Sequence, residues 1–223
     1  MPKVLIAYPH EDMVSFSFHR SLQWLMSEYS ENLIPDTITA RAWGFGLVEA
    51  RNELMRQFIN FKEATHIWFI DTDMGFAPDT VTNLLQANKP VVGALCYGQN
   101  TVSPDGLSGY VTEPFVVAYD LIIDKQADSA HYQLKYDLDI ESKSPQQVAA
   151  TGTGCLLISR EAADAVLQKY GDSWFNQLRY KHDTKLLAMS EDLSFCYRLT
   201  TASVPIYIHT GVRTNHMKRV WLS

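Results

Sequence analysis

Over residues 1–97, short apolar runs of strand length alternate with longer segments whose apolar residues recur every three or four positions. This alternation limits the fold more than any other feature of the chain. Lys3–Tyr8 is an apolar, β-rich run stopped by Pro9 and His10, and Met13–Tyr29 follows with Val14, Phe18, Leu22, Leu25 and Met26 at helical spacing. Asp36–Arg41 reads as a short strand, Gly44 and Gly46 break the chain, and Val48–Phe61 carries Leu54, Met55, Phe58, Ile59 and Phe61 on one helical stripe. His66–Ile70 is a continuous apolar run, the pattern of a strand covered on both faces. Asp71–Gly75 is a turn, Pro78 opens a helix reaching about Ala87, and Pro90–Tyr97 is a further buried strand. The order βαβαβαβ predicts an α/β fold with a mostly parallel central sheet and helices on both faces. Ligands of such open sheets bind at the carboxyl ends of the strands, which is where Asp71 and Asp73 fall.

The remainder is less regular. Gly98–Gly109 reads as a loop rich in Gly, Pro, Ser and Asp, and Tyr110–Ile123 with His131–Ile140 as a small antiparallel section around a polar turn. Ser142–Gln147 is a polar break, Gly154–Ser159 a strand, Arg160–Tyr170 an Ala-rich helix, and Trp174–Tyr180 a short strand or ordered loop. Ser190–Thr201 has a helix start, with Ser190 as N-cap and Glu191 and Asp192 in the first turn, and Val204–Ile208 is the last strand. No repeat or break in composition divides the 223 residues, so one domain is expected over 1–223, with halves at 1–97 and 98–223.

The net charge of −6 opposes binding to a phosphate backbone, and no basic stripe offsets it, so nucleic acid is not an expected partner. The group Arg213, His216, Lys218 and Arg219 is too short to line a groove but suits one diphosphate. Cys96, Cys155 and Cys196 are widely spaced in apolar runs, which reads as three buried thiols in a reducing compartment. The opening run is too short for a signal peptide or a membrane span, so a cytoplasmic protein is expected.

Asp71 and Asp73, two residues apart beyond a buried strand, repel each other unless a cation intervenes, and a hard divalent ion such as Mn²⁺ or Mg²⁺ suits them. Two solvated turn acids are the plain alternative. Glu191 and Asp192 read either as acids favoured by the helix dipole or as a general base at a rigid helix start. His209 reads as structural. His216, among Arg213, Lys218 and Arg219, suits a metal beside a departing diphosphate. Arg51, early in its helix, is placed to meet a phosphate, or simply lies on a solvated face. Thr151-Gly152-Thr153-Gly154 permits close approach of a ligand or forms a tight structural turn, and it matches neither the phosphate-loop nor the dinucleotide fingerprint.

Taken in order, these pieces resemble the GT-A glycosyltransferases, in particular the small family-2-like enzymes of bacteria and their phages. The resemblance rests on Val4–Pro9, Ala50–Leu54, Thr65–Met74 with Phe76–Asp79, Pro90–Ala94, Gly152–Arg160, Ser190–Cys196 and Asn215-His216. It implies a single Rossmann-like GT-A domain whose 1–97 half binds nucleotide and whose 98–223 half binds acceptor. It also implies transfer of a hexose-type sugar from a nucleotide-sugar, a UDP-sugar, to an acceptor protein or glycan, with Mn²⁺ or Mg²⁺. Asp71, Asp73 and His216 would then hold the metal, and Tyr8, Pro9, Arg51, Thr72 and Lys218, with the same two acids, the donor. Gly152, Thr153, Gly154 and Glu191 would face sugar and acceptor, with Asp192 and Glu191 as the catalytic pair. The cytoplasm implied would be a host's if the chain were phage-encoded. One departure stands out: Ala188-Met189-Ser190 occupies the place of a tryptophan-glycine pair before the two acids. A sugar-phosphate nucleotidyltransferase and a non-catalytic nucleotide-sugar or carbohydrate binder are the alternatives. Pro9-His10-Glu11-Asp12, where the first would need a glycine-rich basic loop, argues against it.

Overall fold

The computed structural model describes residues 1–11, 13–42, 46–102, 111–124, 129–182 and 185–218. The first part runs β1 (Val4–His10), α1 (Phe16–Glu28), β2 (Leu33–Arg41), α2 (Gly46–Asn60), β3 (His66–Ile70), β4 (Met74–Phe76), α3 (Thr80–Gln86) and β5 (Val91–Leu95). A hairpin, β6 (Tyr97–Val102) and β7 (Val111–Val116), leads to β8 (Ala118–Asp124), β9 (Ser129–Leu134), β10 (Pro145–Val148) and β11 (Ala150–Thr151). The chain closes with β12 (Cys155–Ser159), α4 (Arg160–Tyr170), β13 (Arg179–His182), β14 (Lys185–Ala188), α5 (Glu191–Thr201) and β15 (Ile206–His216).

The central sheet has the order β10-β15-β5-β12-β3-β1-β2, with β4 attached to the far end of β15. β2, β1, β3, β5 and β15 point one way, because the β1–β2, β1–β3 and β5–β15 pairs are parallel while β12 runs antiparallel between β3 and β5. The expected mostly parallel α/β sheet is therefore present, with a late strand inserted antiparallel at its centre. The pleat sends alternate side chains to opposite faces. Leu5, Ala7, Ile67, Phe69, Leu156 and Ile158 pack on α2, α4 and α5, while Val4, Ile6, Trp68, Ile70, Cys155 and Leu157 pack on α1 and α3. Both layers draw on residues before and after position 97. Arg160 closes the carboxyl end of α2 by donating to the carbonyls of Phe58, in its last turn, and of Phe61 and Ala64 just beyond it.

Several boundaries differ from expectation. Ser15 caps α1 by accepting from the Phe18 N–H at 3.1 Å, so Met13 and Val14 lie outside the helix and are exposed. The third helix starts at Thr80 rather than Pro78. The run at 90–97 is split, with Cys96 between β5 and β6, and the expected loop beginning at Gly98 is a strand through Val102. The polar stretch at 142–147 contributes β10, which tolerates polar side chains because it is an edge strand with one neighbour. The largest difference is β15, which continues past Ile208 to His216 through an irregularity between His209 and Arg213. Gly44 and Arg219 lie outside the described residues, as does most of the 98–109 segment.

Candidate functional site

β3 ends where its last ladder bond forms, the Asp71 N–H donating to the Gly154 carbonyl at 3.0 Å. The following turn is braced from three directions. The Met74 N–H returns to the Asp71 carbonyl, the Ser15 N–H reaches the Thr72 carbonyl, and the Met217 N–H reaches the Asp73 carbonyl. The first helix and the last strand thus grip the backbone that carries the two acids. A cleft of about 430 Å³ opens beside it, lined among others by Pro9, His10, Met13, Gly46, Leu47, Asp71, Thr72 and Asp73. Gly46 holds φ +79°, a left-handed backbone that suits glycine. The Tyr8 ring packs edge-on against Phe18 at 5.1 Å.

Asp71 and Asp73 face different partners. Asp71 receives Arg51 Nη2 at 3.2 Å, while Arg51 Nη1 donates to Glu191 Oε1 at 2.9 Å and Asp192 Oδ1 at 2.5 Å. One guanidinium, only 2% exposed, therefore joins acids from β3 and from the start of α5. Burial alone would lower the Arg51 pKa, but the charges of Asp192, Asp71 and Glu191 outweigh it and hold the guanidinium charged. The Asp192 carboxyl is pushed up, chiefly by burial, with Arg51 opposing and Glu191 adding to the rise. The resemblance expects Arg51 at the diphosphate; in the structure both its terminal nitrogens face carboxylates instead.

Arg51 lies with Ala50, Leu54, Met55 and Phe58 on the buried face of α2, and its guanidinium carbon is 5.8 Å from the Phe175 ring centre. Asn52 beside it anchors the 171–178 loop, accepting from the Phe175 N–H at 2.9 Å and donating to Asn176 Oδ1 at 2.6 Å. An arginine in register with an apolar stripe is the signal that the sequence offers for a buried ion network. Asn52 has no comparable signal.

Asp73 turns toward the end of β15. His216 Nδ1 lies 2.7 Å from the Tyr97 carbonyl, which can only accept, so that nitrogen carries the hydrogen. Nε2 of a neutral ring then presents a lone pair to Asp73 Oδ2 at 3.0 Å. Two acceptors that close need a cation, either a proton on His216 or a metal. In the metal-free protein the proton takes that role: the hydrogen bond to Asp73 raises the His216 pKa. Asp73 is held low, because His216 and Lys218 outweigh the effect of its burial.

The same geometry fits a divalent ion. A ligating histidine usually donates its other N–H to a carbonyl or carboxylate, and adjacent ligands on a ~2.1 Å octahedron are ~3 Å apart. Among the described residues no group of three or more His, Cys, Asp or Glu side chains is arranged around a common point, and the two donors that they bring together here are Asp73 and His216. Mg²⁺-like ions accept such sparse sites when phosphates and waters complete the shell. Lys218 Nζ stands 3.5 Å from the same Asp73 oxygen, and Arg213 is exposed.

Gly152, Thr153 and Gly154 lie between the two acid groups. A Cβ on Gly154 would fall 3.3 Å from Asp71 Oδ2, and one on Gly152 would fall 3.2 Å from Val117 and 3.6 Å from Asp192 Oδ2. Thr153 is fully buried and donates to Asp192 Oδ1 at 2.5 Å. His209 accepts from the Gly211 N–H at 3.2 Å, away from these acids in the chain's register. Cys96 and Cys196 are buried, with thiols pushed up by burial to about 12, as expected of inert core cysteines. A larger cavity of about 660 Å³ is lined by segments including 147–149 and 203–206, but among the described residues Asp120 is its sole ionisable lining residue, so chemistry rather than volume selects the site.

No sequence-family profile matches the chain, and no curated protein matches it by sequence. Solved structures do match. A197 from STIV is 14% identical with a TM-score of 0.54, covering 97% of this chain and 86% of that one. GalNAc-T7, crystallised with UDP, GalNAc and Mn²⁺, is 11% identical with a TM-score of 0.56; the match covers 98% of this chain and spans 43% of GalNAc-T7. The protein has a GT-A-like, glycosyltransferase-like fold. None of its described helices is long and apolar enough to cross a membrane.

Proposed function

We propose that the protein is a metal-dependent glycosyltransferase, moving a hexose-type sugar from a UDP-sugar to a hydroxyl of a protein or glycan acceptor. The observation that carries this reading is the pairing of His216 Nε2 with Asp73 Oδ2 at 3.0 Å at the edge of the cleft, a donor pair that a divalent ion can bridge in place of the proton. The likeness to a fold that binds UDP and Mn²⁺ in GalNAc-T7 supports it. In this reading residues 1–97 hold the nucleotide against Pro9, His10 and Thr72, and 98–223 hold the acceptor. Asp73 and His216 bind Mn²⁺ or Mg²⁺, and Lys218 approaches the diphosphate. Bound there, the cation stabilises negative charge on the departing diphosphate. If the displacement inverts the anomeric centre, Asp192, backed by Glu191, takes the proton of the acceptor hydroxyl, and its raised pKa strengthens it as a base. Arg51 holds Asp71, Glu191 and Asp192 together rather than meeting phosphate.

Calorimetric titration of UDP tests the reading. Binding with Mn²⁺ and none with EDTA is the expected result. No binding in either condition, repeated with GDP, CDP and dTDP, would overturn the nucleotide site.

A further inference from the structure

The two oxygens of Asp192 are unequal. Oδ1 accepts from Arg51 Nη1 and from Thr153 Oγ1, both at 2.5 Å. Oδ2 has no hydrogen-bond partner among the described residues and lies over Gly152, where a Cβ would be 3.6 Å away. The loop that delivers the Thr153 hydroxyl is itself fixed. Thr151 Oγ1 donates to the Val117 carbonyl at 2.7 Å, and Cys196 Sγ approaches the Thr151 carbonyl at 3.4 Å. Because Thr153 is fully buried, it cannot touch an acceptor, although the sequence suggests a subsite role for it.

We propose that Thr153 is a positioning residue for the transfer step: with Arg51 it locks Asp192 Oδ1, leaving Oδ2 as the oxygen that receives the acceptor's proton. The proposal rests on Asp192 being the base. As the acceptor oxygen bonds to the anomeric carbon, the bond from that carbon to the diphosphate breaks. The diphosphate leaves with the electron pair, and the acceptor proton passes to Oδ2. A carboxylate with one oxygen held by two donors cannot rotate away, so its free lone pairs meet the acceptor without reorganisation. A side chain at Gly152 would stand beside that oxygen, its Cβ 3.6 Å from Oδ2.

The test is a kinetic series of UDP-hexose hydrolysis with Mn²⁺, water standing in for the acceptor hydroxyl, on Thr153→Val, Thr153→Ser and Asp192→Asn, with UDP–Mn²⁺ affinity measured in parallel. Thr153→Val keeps the shape and removes the hydroxyl. It should lower kcat of hydrolysis roughly 10- to 100-fold with the UDP-hexose KM and UDP affinity unchanged, and Thr153→Ser should restore most of the rate. Wild-type kcat in Thr153→Val would overturn the proposal. So would a loss of UDP affinity parallel to the loss of kcat, since the hydroxyl would then serve only the fold. If Thr153→Val does not fold, Thr153→Ala takes its place with the same readouts. Full hydrolysis by Asp192→Asn would refute the base itself, a failure separate from that of Thr153.

Discussion

Asp71 and Asp73 leave the same strand two residues apart and end in opposite environments. Both line the cleft, Asp71 29% and Asp73 36% exposed, but Asp71 is tied to a guanidinium with 2% exposure, whereas Asp73 meets the partly exposed His216 and Lys218. The inner network is rigid, since a buried ion left without its partner is costly. The outer group is held by contacts that water screens, so its partners can be exchanged. In the proposed reading the inner network keeps the acceptor-side acids in place while the outer group admits and releases a charged ligand.

The contrast can be broken by substitution. Arg51→Met removes the charge and leaves Asp71, Glu191 and Asp192 facing one another. It should cost about 3–5 kcal/mol in urea unfolding and abolish transfer. Asp192→Asn keeps a similar shape and should lower transfer by roughly 10²- to 10⁴-fold while UDP–Mn²⁺ binding persists in calorimetry. Asp73→Ala should remove metal-dependent UDP binding yet change stability by less than about 1 kcal/mol. Equal stability losses in Arg51→Met and Asp73→Ala would erase the distinction between inner and outer groups.

The smallest effect is a pH slope in the metal-free protein. The His216 pKa is raised above 6.5 by its hydrogen bond to Asp73. The folded protein therefore holds that proton more tightly than the unfolded chain. The stabilisation is complete below pH 6.5 and is lost as pH rises through the raised value. His216→Gln should flatten that slope in thermal melts, by less than about 1 kcal/mol.

The sequence made most strands and helices of residues 1–97 legible, because burial on both faces of a sheet leaves apolar runs such as Ile67–Ile70 and helices leave stripes such as Leu54, Met55 and Phe58, but β4 at Met74–Phe76 falls partly in the expected turn Asp71–Gly75, since its pairing partner, β15, is far along the chain. The continuation of β15 was written there too, in the alternation of buried Thr210, Val212 and Thr214 with exposed Gly211, Arg213 and Asn215. Polar side chains hid it, since threonine satisfies a buried position less obviously than isoleucine does. The positions of Asp71 and Asp73 beyond β3, and of Glu191 and Asp192 at the start of α5, follow from local pattern alone.

What local pattern could not supply was partnership. Arg51 meets acids 20, 140 and 141 residues away, and His216 meets Asp73 across 143. Which acid faces which cation depends on β12 lying between β3 and β5 and on β15 running far enough to reach β4. Strand order is an outcome of how whole layers bury their apolar faces, and no window of sequence contains it. The sequence by itself determined the elements and the chemistry available at their ends. The tertiary structure decided that one acid would be locked to a buried arginine and its neighbour left at the cleft, because those contacts exist only once distant strands share a sheet.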